Sequence, residues 1–448
     1  MKARERVFSV EEKPRKLPWR QIITGNVLMM GVVSMFTDFS SEMIYPLLPI
    51  FVTGLAPVAS AAVYIGLMEG VAESTASLLK IFSGRISDAL GVRKALTVYG
   101  YGISTIARPL MAAATAGWHL VGLRFLDRVG KGIRTSPRDA LISDSVAPEG
   151  RGLAFSFHRS MDHLGAVLGP LVSILILWLL LGRVFWHGAT ETATAEEMAA
   201  MRKLFWIAFL PGIAAMAALI WKVQEIKPKR ATASPSASQS IGPMSPISPI
   251  RPIPLPTKFY YFVSIVTIFT LGNSSDLFLV FYGKTKFELG LFQVILLWIM
   301  LHISKMIFSL PGGALSDRFG RRPLIVAGWA IYAVVYCGMA FVSAQWVFWA
   351  LMFAYGAFYG FSEGAEKALV ADYVSSEHRG RAYGIYHGVI GFAALPASLL
   401  FGLFWKELGP KIAFGIGAAL AGVATVLLLI LLSSGRQEMP SAELGARN

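Results

Sequence analysis

Long apolar stretches separated by short charged turns run along almost the whole chain. The clearest, at 164–182, 204–221 and 412–435, are each near the roughly 20 apolar residues that cross a bilayer as helix. The stretch 324–362 runs 39 residues without a charge, which predicts two helices broken near Ser343-Ala344-Gln345. These segments must be helical, because backbone groups that face lipid need partners within their own segment. Runs and turns together predict an all-α membrane protein with twelve transmembrane helices, six in each half.

One charged turn occurs twice. Gly84-Arg85-Ile86-Ser87-Asp88-Ala89-Leu90-Gly91 and Gly313-Ala314-Leu315-Ser316-Asp317-Arg318-Phe319-Gly320 share the pattern G-x-x-S-D-x-x-G. Basic residues trail each copy, Arg93 and Lys94 after the first and Arg321 and Arg322 after the second. A second stretch recurs at nearly the same offset: Ala140-Leu141, Asp144, Glu149, Arg151-Gly152 answer Ala368-Leu369, Asp372, Glu377, Arg379-Gly380. Ser40-Ser41-Glu42 answers Ser274-Ser275-Asp276. Three matched pieces in one order make the chain two copies of one unit.

Charge then orients the spans. The N-terminal tail, both repeated turns, the turns at 149–151 and 377–381, and the segment 222–258 hold most of the Lys and Arg outside the helices. Loops such as 56–61 and 343–345 hold almost none. Basic loops stay cytoplasmic, so both termini are expected inside, in a plasma membrane (the inner membrane of a bacterium). This placement accounts for the net charge of +14 without a nucleic-acid partner. The start is polar and basic and lacks the short apolar core of a cleavable signal. One cysteine, Cys337 in mid-span, leaves no internal disulfide and no thiolate metal site. The Ser/Pro-rich stretch 231–256 has no apolar periodicity and is expected to be an exposed linker. The expected organisation is therefore a tail at 1–21, a six-helix bundle at 22–223, a linker at 224–257, a second bundle at 258–434 and a tail at 435–448.

Two six-helix halves, a cytoplasmic linker and a duplicated turn resemble the major facilitator superfamily. The second turn is close to that family's loop signature G-x-L-x-D-R-x-G-R-[KR]. The first has Ala89 where Arg is usual and Val92 where the first trailing Arg would stand. Gly165-x-x-x-Gly169-Pro170 is similar to the G-x-x-x-G-P element of proton-coupled exporters, without the Gly-Gly that follows it there. The resemblance implies two pseudo-symmetric bundles around a central cavity. It also implies a cytoplasmic gate formed by Gly84, Asp88, Gly91, Arg93, Gly313, Asp317, Arg318, Gly320, Arg321 and Arg322. A carboxylate at such a turn accepts hydrogen bonds from a neighbouring helix N-terminus or pairs with a trailing base, in one arrangement of the halves only.

Ionisable groups inside membrane helices are costly and mark function. Asp38 and Glu42 share one face of the first span, Glu69 and Glu73 one face of the second, and Asp276 matches Glu42 across the repeat. With Asp162 they are the candidates for proton coupling, since desolvation and a like-charged neighbour bring a carboxyl towards titration at neutral pH. Arg124, Arg128, Lys131, Arg134 and Arg138 recur at spacings of three and four, within roughly a 120° stripe of the fourth span. Arg124 and Arg128 suit an anionic solute in the cavity, and Arg134 and Arg138 suit pairing with acids or snorkelling. The candidate cavity residues are Arg124, Arg128, Lys131, His158, Arg159, His163, His302, Glu363 and Tyr386. His158, Arg159, Asp162 and His163 form a compact patch in which a proton relay or a satisfied His–Asp pair outweighs a metal site. Glu363 and Lys367 stand one turn apart and are placed to pair.

The reading that follows is a secondary active transporter that moves a small solute by alternating access, with proton-coupled export first. The alternative is proton-coupled uptake of an organic anion or metal chelate, and a receptor or scaffold is the competing class. No H-E-x-x-H or G-x-x-x-x-G-K-[ST] element points to an enzyme or an ATP-driven pump. The expected partners are the solute, protons and lipid, with no cofactor or metal, and a monomer suffices. Cysteine-accessibility mapping should place residues 88 and 317 on the same face; opposite faces would contradict the two-half reading.

Overall fold

The computed structural model describes residues 18–434 except 24, 57, 183–192, 227–253 and 290. Most of the expected linker and both tails lie outside the described residues, as do the side chains of Glu69 and Glu73. The first half contains α1 (Gly25–Glu42), α2 (Val58–Leu90), α3 (Lys94–Leu110), α4 (Gly117–Asp144), α5 (Arg151–Leu181) and a two-piece α6 (Ala195–Ile207 and Phe209–Lys222). The second contains a two-piece α7 (Thr257–Gly272 and Asp276–Phe287), then α8 (Leu291–Phe319), α9 (Arg321–Phe341), α10 (Gln345–Tyr373), α11 (Arg379–Leu408) and α12 (Pro410–Ser434). The uncharged run at 324–362 breaks between α9 and α10, where expected.

Among the described residues, seven stretches, Pro148–Leu181 and Pro410–Leu431 among them, are long and apolar enough to cross a membrane. Helix α4 is not one of them, because its stripe of charges lowers its hydropathy. A belt of exposed apolar side chains, including Leu179, Leu210, Val334, Leu399 and Val426, offers the surface that lipid covers, with Trp118, Trp221 and Trp346 exposed as well.

The two halves break the same helix. Helix α1 stops at Glu42, and the chain turns through Tyr45–Leu47, with Pro46, before a short helix at Leu48–Thr53. Helix α7 is interrupted at 273–275, and Asp276 opens its second piece. The acids matched across the repeat thus both sit at helix breaks. A freed carbonyl in a membrane needs a donor, and Tyr332 supplies one to Gly272 O at 2.8 Å. Ser40 of α1 does the same for Ala208 O, at the break in α6, at 2.7 Å.

The cores differ in chemistry. Aromatic stacking fills the second half, with Phe269 on Trp329 at 4.5 Å and Tyr332 on Tyr336 at 4.1 Å. The first half buries Arg108, Arg124, Asp127, Arg134, Arg138, Asp139 and Asp162. Apolar burial does not drive helices together in lipid, so close packing at small residues must. Helix α10 meets α8 in this way: a Cβ on Gly360 would lie 2.6 Å from Phe308 O. Gly360→Ala should therefore destabilise the protein by about 1–3 kcal/mol. Gly422→Ala, where nothing lies within 4 Å, should be neutral. Thermal melts in detergent check both.

Candidate functional site

The two repeated turns meet the opposite half. Asp88, at the end of α2, accepts hydrogen bonds from the backbone N–H of Gly380 (3.0 Å) and Arg381 (2.6 Å), in the first turn of α11. Asp317, at the end of α8, accepts from Gly152 N–H (3.0 Å) and Leu153 N–H (2.8 Å), in the first turn of α5. Each carboxylate thus takes up two donors that a helix start leaves unpaired and lies at the positive end of that helix. The glycines make this approach possible. A Cβ on Gly380 would lie 2.6 Å from Gly84 O, and one on Gly313 would lie 2.7 Å from Gly152 O. Gly91 and Gly320, with φ of +64° and +97°, end α2 and α8 in the left-handed region.

A second layer locks each turn. Arg93 reaches Asp88 at 3.3 Å and Asp144 at 2.8 Å and donates to Ser376 O at 2.6 Å, while Arg379 of the other half also pairs with Asp144. Arg321 pairs with Asp317 and, at 3.3 Å, with Asp372, and donates to Pro148 O; Arg151 of the other half completes that cluster on Asp372. The two clusters are copies, with Asp144 and Asp372 each pinned by a base from its own half and one from the other. Two sequence candidates stand apart: Arg318 is exposed over the Phe319 ring, and Arg322 donates to Tyr373 OH within the second half.

Deeper in the first half, α1 crosses α5 at the G-x-x-x-G-P element. A Cβ on Gly165 would lie 3.1 Å from Asp38 Cβ, and one on Gly169 would lie 2.7 Å from Glu42 Cβ. The element therefore lets α5 lie directly on the two acids. Both are half-buried, and neither carboxylate has a hydrogen-bond or ion-pair partner among the described residues. The charges acting on Asp38 are Asp162, Arg134, Arg108 and Lys131; those acting on Glu42 are Asp38, Arg124, Arg128 and Arg108.

The basic stripe of α4 divides by depth. Arg124, Arg128 and Arg108 surround the Tyr45 ring at 3.8, 5.9 and 5.9 Å. Arg108 donates to Asp127 at 3.1 Å, and Arg124 lies 3.8 Å from the same acid. Towards the basic face, Arg138 pairs with Asp139 at 2.8 Å, whereas Arg134 bonds Ser104 and covers the Tyr101 ring.

Several candidates pair across the halves as well as along their own helix. Arg159 joins Glu363 and Asp162, each at 2.7 Å. Lys367 lies nearer Asp139 (3.5 Å) than Glu363 (3.9 Å), so local Glu363–Lys367 pairing is the weaker contact. His163 faces His302 at 3.2 Å, and His158 lies 3.7 Å from Asp162. Asp276 is held by Lys305 at 2.7 Å and by the hydroxyls of Tyr355 and Tyr359, unlike its repeat mate Glu42. Tyr386 is buried and donates to Glu366, so it packs the second half and does not line an open surface.

Sequence reasoning did not single out Asp144, Arg151, Asp372 and Arg379 for the cytoplasmic turns, or Tyr45 and Arg108 for the interior. The first four were signalled, because they recur in the second repeated stretch.

The model of the Major Facilitator Superfamily matches residues 30–307 and 300–446, and the chain belongs to that family of transporters. A curated relative, an uncharacterized MFS-type transporter (MJ1317) of Methanocaldococcus jannaschii, is 31% identical over 414 residues, covering 91% of this chain and 95% of that one. The multidrug resistance protein MdtH of Yersinia enterocolitica is 33% identical over 129 residues, 29% of this chain and 32% of its own. The human organic anion transporter MFSD10 (TETRAN) has the same fold at a TM-score of 0.70, with 14% identity over 92% of this chain and all of that one.

Replacing Asp88 or Asp317 by Asn removes the charge from two backbone hydrogen bonds, a loss on the order of 1.5–3 kcal/mol. Each variant should open the face that bears the turns. Ser156, buried where Gly313 and Gly364 press on α5, is the reporter. A cysteine there, in a Cys337→Ser background, should react with a polar maleimide faster in either Asn variant, and an unchanged rate would contradict the clamp.

Proposed function

We propose that the protein is a proton-coupled secondary transporter that exports a small solute by alternating access, with Asp38 and Glu42 as the proton-carrying groups. The observation that carries this reading is the pair of half-buried carboxylates with no bonded partner among the described residues, at the crossing of α1 with Gly165 and Gly169. Most other buried acids already hold a base: Asp127, Asp139, Asp144, Asp162 and Asp276 all do. A carboxyl without a fixed counter-charge can take up and release a proton without first breaking an ion pair.

Alternating access then runs on the clamps. With both clamps made, the face of the repeated turns is closed; opening it costs four backbone hydrogen bonds and the Arg93 and Arg321 clusters. A bound proton or solute shifts that equilibrium only by its differential affinity for the two arrangements. Export is supported by the G-x-x-x-G-P element and by the similarity of part of the chain to a multidrug resistance protein. Uptake of an organic anion is the second reading, favoured by the guanidinium groups around Tyr45. In both readings the termini and the basic face are cytoplasmic, the membrane is the plasma (bacterial inner) membrane, the halves span 22–223 and 258–434, and a monomer suffices.

Proton flux in reconstituted vesicles, challenged with a panel of anionic and cationic solutes, tests the reading. Asp38→Asn or Glu42→Gln should abolish pH-driven transport while the protein stays folded. Full proton-dependent activity in both variants would move coupling to Glu69, Glu73 or Asp162.

A further inference from the structure

Three guanidinium groups converge on one tyrosine ring, yet a single aspartate answers them among the acids with a described bond. Arg108 is engaged through two nitrogens: its Nε bonds Asp127 (3.1 Å) and Tyr45 OH (3.3 Å), and its Nη1 bonds Thr37 O (2.8 Å). Asp127 also faces Arg124. Arg128 differs: its buried Nε has no hydrogen-bond partner, and the residue has no ion pair, among the described residues. A buried guanidinium donor without an acceptor is costly, which makes it a place where an acceptor is expected to arrive.

The break after α1 explains why the ring is there. Tyr45 follows Glu42 by three residues, in the turn that interrupts the helix, and the same three arginines, Arg108, Arg124 and Arg128, act on both. The charged groups around Glu42 are Asp38 on its own helix, Arg124 and Arg128 from α4, and Arg108 from α3. Helix α5 brings the backbone of Gly169 against it, and α2 carries Glu69 and Glu73.

We propose that Arg128, beside Arg124 and the Tyr45 ring, receives the carboxylate of an organic anion, and that Glu42 must take a proton before that anion binds. An ionised Glu42 occupies the field of Arg124 and Arg128 and repels an incoming carboxylate. Protonation removes the repulsion and leaves the Arg128 fork to bind the planar oxyanion through paired N–H donors. Binding is then reciprocal: the proton favours the anion and the anion favours the proton, by the same factor. Groups that bind together travel together, so an inward proton gradient drives the anion inward. This inference rests on the second reading above, uptake of an organic anion; export by exchange, in which solute and proton would have to exclude each other, is the outcome that would overturn it.

The experiment uses the purified full chain in detergent, weakly buffered with a pH-sensitive dye, and benzoate as probe, with benzylammonium as the cationic comparison. Addition of benzoate should take protons up from solution, and its affinity should fall as pH rises. Glu42→Gln should keep benzoate binding but lose both the proton uptake and the pH dependence. Arg128→Lys, which preserves charge, should weaken binding about ten- to a hundredfold. The proposal is overturned if benzoate does not bind the wild type, if its binding releases protons, or if Glu42→Gln retains the proton uptake. Benzylammonium binding with proton release would overturn it too and would support exchange at the carboxylates. Proton flux in vesicles, measured separately, shows whether the transporter reading stands when the anion inference fails.

Discussion

Two carboxylates, each capping a helix of the opposite half, tie the halves of this protein together on the face of the repeated turns. Asp88 holds the start of α11 and Asp317 the start of α5, with near-identical geometry. Lipid tails are as apolar as leucine, so the halves gain little by hiding greasy surface from the membrane. Their cohesion on this face comes from charge-assisted hydrogen bonds and from backbones brought together at Gly84–Gly380 and Gly313–Gly152. Such contacts are short-range and directional. Any separation of the halves on this face must therefore break them.

The Arg93 and Arg321 clusters make each clamp cooperative with its surroundings. Each arginine binds the capping aspartate, a second aspartate on its own half, and a backbone carbonyl just before the capped helix. Moving one half therefore disturbs every member at once. Among the described residues of the first half's interior, Asp127, Asp139 and Asp162 each meet a base and Arg134 bonds a hydroxyl, whereas Asp38, Glu42 and Arg128 have no ion pair. Those three lie around the break in α1, where backbone geometry is already irregular and chemistry can change at least cost to the packing.

The architecture was legible because it rests on local signals. A duplicated turn and uncharged runs require no knowledge of what touches what. The gate was half legible for the same reason: equivalence across a repeat tells which residues do the same job, but not which residues they meet. Asp144 and Asp372 stood in plain view in the repeated stretch, yet each needs an arginine from the other half to be understood. Helical spacing misled in a related way. It offers partners three or four residues away, so Glu363–Lys367 looked like a pair, while the nearer partners of Glu363 and Lys367 lie across the interface. The break in α1 went unseen because Pro46 sits inside a run that is otherwise apolar enough to continue, and with it went the role of Tyr45.

Distance measurement across the basic face tests the clamp most directly. Leu90, at the end of α2, and Phe319, at the end of α8, are both exposed and belong to opposite halves. Spin labels at cysteines introduced there, in a Cys337→Ser background, report the separation of the two turns by electron–electron resonance. The account predicts one short-distance population with both clamps intact, and a longer-distance population that grows when Asp88 and Asp317 are replaced by Asn. A distance distribution indifferent to both substitutions would contradict it.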